Sequence, residues 1–149
     1  MAKAIFVVPF AGGSPQFPGI DATQVSYVCA SYVPPPAGTA QYALVWIETS
    51  AANIATLTAR ADCLFIANRL DDGSIETATI TATQRNAVRT KIANMGFTGA
   101  QYGLLVAAIN SSQNRDDLAV NIATKAFMRD VAKNFMTLRD VRGTMKGQG

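Results

Sequence analysis

Apolar residues in this chain fall into short runs separated by breaks rich in Gly, Pro and Ser, the spacing expected of strands joined by turns. Ile5-Phe6-Val7-Val8 reads as a buried strand closed by Pro9, and residues 10–23, with three glycines and two prolines, read as one long loop. Residues 24–33 (QVSYVCASYV) make a second strand, rich in valine and tyrosine, which the prolines at 34, 35 and 36 end because they cannot donate to a ladder. Tyr42 to Ile47 is apolar at every position, so both alternating faces should be covered, as in a central strand. Ser50 offers an N-cap for a short helix over 51–61, and Leu64 to Ala67 returns as another apolar strand. Asp71-Asp72-Gly73-Ser74 is a turn, after which 75–80 either pairs briefly or stays loop.

The sharpest local signal follows. Thr81 and Gln84 stand at the spacing of a capping box, and Val88, Ile92 and Met95 then recur at helical intervals up to Gly96, a left-handed cap. A helix over 82–95 is expected. Residues 100–109 (AQYGLLVAAI) fit a buried helix or a strand equally well, since an apolar run this short has no decisive period. Asn114 caps a final helix, with Asp116 and Asp117 in its first turn where the dipole favours them, and the pattern runs to about residue 138. Glycines at 143, 147 and 149 mark a loose tail.

These elements predict an α+β fold: a small mixed or antiparallel sheet packed with two or three helices, plus a long C-terminal amphipathic helix and flexible tail. The expected division is a core domain over 1–110 and a helical arm with tail over 111–149. A length of 149 residues suits one hydrophobic core, and 49% hydrophobic residues are too many for a disordered chain. The apolar stretch Ala4–Val8 is too short for the core of a signal peptide, so synthesis in a cytoplasm is expected, with reduced thiols at Cys29 and Cys63.

Candidate chemistry is thin. The chain has no histidine, which removes His-dependent triads, His-ligated zinc and the side chain that ordinarily titrates near neutrality. Cys29 has no basic neighbour in sequence and Cys63 follows only Asp62, whereas reactive thiols need an electropositive setting. Asp71 and Asp72 lack the ligand spacing of a calcium loop, and Gly12-Gly13-Ser14 lacks the Lys-Ser/Thr of a phosphate loop. No catalytic, cofactor-binding or metal-binding residue is therefore expected, nor any small-molecule substrate, and the chain is not expected to be an enzyme. Trp46 and the tyrosines at 27, 32 and 42 suggest a stacking surface, but residues 24–47 contain no lysine or arginine, so core or protein interface is the better reading.

Charge alters the picture only at the end of the chain. Residues 1–114 hold six basic and six acidic residues, so the whole formal excess of +3 lies in 115–149. There Val120, Ala123, Phe127, Val131, Phe135 and Leu138 form one apolar stripe at intervals of three or four. Lys125, Arg129 and Lys133 fall on the opposite side, and Arg139, Arg142 and Lys146 extend the positive charge. The expected docking face is thus Val120, Phe127, Val131, Phe135 and Leu138. The six cations are the candidate contacts, facing solvent, an acidic protein wall or a phosphate backbone.

The strand ending in Val8-Pro9, the strand Tyr42-Ala43-Leu44-Val45-Trp46-Ile47-Glu48, a helix leading to Ala61-Asp62-Cys63-Leu64-Phe65, and the Thr83-Gln84-Arg85-Asn86-Ala87-Val88 helix ending in Met95-Gly96-Phe97 resemble small virion structural proteins of tailed bacteriophages. The likeness spans roughly residues 1–100 and implies a component of the head or neck region, made in the host cytoplasm and located in the virion. It brings no catalytic residues. With only 15% charged residues, such a chain is expected to hide much of its surface in an assembly. The expected role is a head–tail junction (neck or adaptor) protein, homo-oligomeric or ring-forming, touching portal, capsid or tail proteins, with DNA as a secondary contact and no membrane. Alternatives are a capsid decoration (cement) protein and a small nucleic-acid-binding protein using the basic helix.

Overall fold

The computed structural model describes residues 1–32, 42–97 and 99–127. Five strands form one antiparallel sheet: β1 (Ala2–Ala11), β2 (Ser14–Pro15), β3 (Ser26–Tyr32), β4 (Tyr42–Thr49) and β5 (Leu64–Arg69). β1 is central, flanked by β4 and β5, and β3 adds to the outside of β4. Among the described residues there are four α-helices, α1 (Ala51–Ala59), α2 (Ala82–Asn94), α3 (Gly99–Asn110) and α4 (Arg115–Ala126), and a 3-10 turn at Ala22–Gln24.

The sheet is covered on both faces, as the pattern of β4 requires. Tyr42, Leu44 and Trp46 join Ile5, Val7, Leu64 and Ile66 in a core shared with α2, α3 and α4. Ala43, Val45 and Ile47 join Ala4, Phe6, Val8, Phe17, Leu57 and Cys63 in a second core beneath α1 and the 10–25 segment. The capping box forms as expected: Gln84 N donates to Thr81 Oγ1 at 3.1 Å and Thr81 N to Gln84 Oε1 at 2.9 Å. Gly96 follows α2 at φ 93°, a conformation that favours glycine.

Several expectations change. β1 does not stop at Pro9 but continues to Ala11, because the proline sits beyond the β5 pairing, which ends at Val7. The Pro9 carbonyl accepts from Gln16 N at 2.7 Å; a strand residue's N–H and C=O point the same way, so the missing donor falls on the β2 side and costs β4 no bond. The expected loop over 10–23 opens instead with a β1–β2 hairpin, in which Ala11 pairs with Ser14 around a two-residue turn. Gly12 and Gly13 both have positive φ (62° and 82°), the requirement of a primed hairpin turn. Residues 100–109 are helical, with Leu105, Ala108 and Ile109 buried one turn apart.

The final helix also differs. α4 ends at Ala126, and Phe127 is extended (φ −111°, ψ 167°) with its ring buried in the helical core. The helix therefore does not continue unbroken to 138, and residues 128–149 lie outside the described residues. Its buried side is Leu118, Ala119, Ile122 and Ala123, while Val120, expected on that face, is half-buried. These side chains share one core with Ile5, Leu44 and Ile66, so α4 is built into the domain of 1–110.

Candidate interaction site

The sheet register assembles a surface that no single segment contains. Across the end of the sheet, Ser26, Glu48, Lys3 and Arg69 form one cross-strand row, and Val28, Trp46, Ile5 and Ala67 form the next on the same face. That face carries the helical layer, but the helices pack over β5 and leave its β3 side open. Val28 is consequently 60% exposed although its cross-strand neighbour Trp46 is only 4% exposed. Together Lys3, Ser26, Val28, Trp46, Glu48 and Arg69 line most of a groove of about 390 Å³.

Arg69 closes the top of Trp46, its guanidinium carbon 4.2 Å from the ring centroid, the geometry of a cation–π contact. The turn after β5 fixes both cations of the groove. Arg69 Nε donates to the Gly73 carbonyl at 3.4 Å and Lys3 Nζ to the Asp71 carbonyl at 3.3 Å. The turn is itself held by Asp72, whose Oδ1 accepts from Ser74 N and Oγ at 2.9 and 2.6 Å. Asp71 and Asp72 thus serve a turn. The sequence separates Trp46 from cations, since 24–47 has none; the antiparallel register brings Lys3 and Arg69 to it from β1 and β5. Trp46 itself belongs to the core, in keeping with the sequence reading, and the register adds two cations beside it.

β3 bounds the groove. Among the described residues it pairs β4 alone, so the N–H and C=O groups along its outer side form no ladder there. Tyr27, 44% exposed, rests its ring 5.2 Å from Phe17 on the opposite face. A β-bulge between Cys29 and Ser31 ends the regular stretch, leaving Ser26 to Cys29 as straight, uncharged edge. Such an edge is a template for another strand unless charge or proline guards it.

The second group of polar side chains lies at the other end of β5. Cys63 is buried, and burial pushes its thiol up to about 12, with the Asp62 charge adding to the rise. It therefore remains protonated at neutral pH, the opposite of an activated nucleophile. Asp62 lies well below the usual carboxylate range because the Arg60 guanidinium binds it through both oxygens, at 2.8 and 3.0 Å. Lys91 and Arg115 line a smaller recess of about 150 Å³ with Gln84 and Phe65. Burial lowers the pKa of each cation, and each is spent on a carbonyl: Lys91 Nζ on Thr58 at 2.8 Å, Arg115 on Ile66 at 3.1 Å. Among the described residues no cluster of three or more carboxylate, thiol or imidazole groups is placed to hold a metal ion. No described helix is long and apolar enough to cross a membrane.

Of the expected contact residues, Lys125 is exposed in the last turn of α4 and Phe127 is buried. Arg129, Lys133, Arg139, Arg142 and Lys146 lie outside the described residues, as do Val131, Phe135 and Leu138 of the docking face. Of the aromatics, Tyr42 is core, its hydroxyl donating to the Met95 carbonyl at 2.5 Å. Compared with known protein families, curated proteins and solved structures, the chain finds no match.

Proposed function

We propose that this chain is a non-enzymatic structural protein that acts by multivalent protein–protein contact, and that its setting is the virion of a tailed phage, at the head–tail junction. The observation that carries the binding role is the open β3 edge beside the Trp46–Arg69 groove. It pairs an unguarded strand edge with a recess offering apolar, aromatic and oppositely charged groups within two cross-strand rows. An extended segment of a neighbouring virion protein fits that combination: backbone hydrogen bonds supply affinity, and alternate side chains enter the groove to supply specificity. The protonated state of Cys63 supports the non-catalytic part of the reading. The likeness of residues 1–100 to small phage virion proteins supports the setting.

The test is a charge on the edge. Val28→Lys places an ammonium on an exposed position, where substitutions normally change stability by no more than about 0.5 kcal/mol, and should abolish association. Sedimentation of the wild-type chain with its particle proteins, against the variant, measures this. Loss of co-sedimentation with an unchanged melting temperature supports the reading; unchanged co-sedimentation refutes it. Location by labelling in the particle separates a junction protein from a capsid decoration protein.

A further inference from the structure

Glu48 is the one charged group of the groove that the groove itself leaves unpaired. It is half-buried on β4, between Ser26 of β3 and Lys3 of β1 in the same cross-strand row. Opposite charges facing each other across strands ordinarily attract. Among the described residues, however, the Glu48 carboxylate takes part in no hydrogen bond and no ion pair. Both neighbouring cations are engaged elsewhere: Lys3 donates to the Asp71 carbonyl, and Arg69 lies over Trp46 and donates to the Gly73 carbonyl. A carboxylate that has lost part of its hydration without gaining a partner carries a cost, which a cation from outside would offset.

The way to Glu48 runs over β3. The other sheet edges are taken up: β2 is two residues long and ends in Pro15, and on β5 the Ile66 and Asn68 carbonyls accept from Arg115 and from Glu76 N at 3.1 and 3.0 Å. On β3 the residue beside Glu48 is Ser26, exposed and too short to shield the carboxylate. Two positions along, on the same face, Val28 stands next to Trp46. A strand added to β3 would lie two strand spacings from β4, roughly 10 Å. From the position opposite Ser26, a lysine or arginine covers that distance together with the reach of Glu48, its apolar stem lying over the serine. The position two residues away on the added strand faces Val28.

Resting on the reading of β3 as a strand-docking edge, we infer that the docked segment carries a lysine or arginine paired with Glu48, and an apolar residue two positions away against Val28 and Trp46. Their order along the segment follows from its direction relative to β3. Glu48 is thereby a specificity-determining residue, selecting a basic–apolar segment and rejecting an acidic one. Lys3 and Arg69 do not reverse that choice, because they lie three and four strands from the added one and are held by carbonyls of the 71–73 turn.

The experiment titrates the full, isotope-labelled chain with the peptide Thr-Lys-Thr-Val-Thr-Lys-Thr, which presents lysine and valine two apart in either direction. Counterparts with glutamine or glutamate at both lysine positions serve as comparison, and the amide resonances of β3 report binding. The lysine peptide should shift Ser26 to Val28 and bind about fivefold tighter than the glutamine peptide, as a part-exposed ion pair supplies, with the glutamate peptide weakest. Glu48→Gln should erase the preference and leave the melting temperature unchanged, since the carboxylate has no contact to lose. Equal affinities with β3 still shifted overturn this inference and leave the edge reading standing. A preference for glutamate, or a lysine preference that survives in Glu48→Gln, overturns the role of Glu48. Absence of β3 shifts with every peptide overturns the edge reading and the inference together.

Discussion

Gly103→Ala should stabilise the chain, because the outward helical position it occupies leaves room for a methyl group. In the described fold the added methyl meets no atom within 4 Å, and the backbone at 103 is helical. The substitution should then stabilise the chain by about 0.8–1 kcal/mol, partly by restricting the unfolded state. For a domain of this size that is a rise in melting temperature of about 2–4 °C. Urea unfolding of the variant against the parent measures the gain, and an unchanged or lowered stability would refute the reasoning.

Other expectations follow from single contacts. Tyr42→Phe removes the buried hydroxyl that ties β4 to the end of α2 and leaves the Met95 carbonyl unmatched, so chemical denaturation should show a loss of about 1–3 kcal/mol. Cys63 should resist alkylation in the native protein at pH 8 and react on unfolding. Its folded pKa, about 12, lies above its ordinary value of 9.0, so the folded state holds the proton longer. The stability linked to that proton is complete below pH 9 and declines as pH rises from 9 to 12; Cys63→Val should flatten the decline measured by urea unfolding. Glutamines at Lys125, Arg129 and Lys133 should leave co-sedimentation with particle proteins intact, whereas salt-sensitive binding to duplex DNA that these changes abolish would favour the nucleic-acid role.

The parts of the fold legible in the sequence were those decided within a few residues. The Thr81–Gln84 box satisfies its own amides, and the double-sided burial of Tyr42 to Ile47 shows in composition alone. The Gly12–Gly13 turn carried a local signal too, the two-residue glycine pair of a hairpin, but Pro9, Pro15 and Pro18 nearby made the whole stretch read as loop. The α3 segment stayed open because its twelve residues are apolar nearly all round, and only packing between α2 and α4 selects the helix. The end of α4 is hidden in the sequence because Phe127 continues the stripe at helical spacing while reaching the core by leaving the helix. The groove was invisible for a different reason. Trp46, Lys3, Glu48 and Arg69 come from three strands, and register alone makes them neighbours.

The most direct measurement of the binding role is amide hydrogen exchange along β3, in the free chain and in the particle-bound state. The account predicts rapid exchange of the outward amides between Ser26 and Cys29 in the free chain and marked slowing on binding. The inward ones, paired to β4, should be protected throughout. Outward amides that exchange equally fast in both states would contradict it.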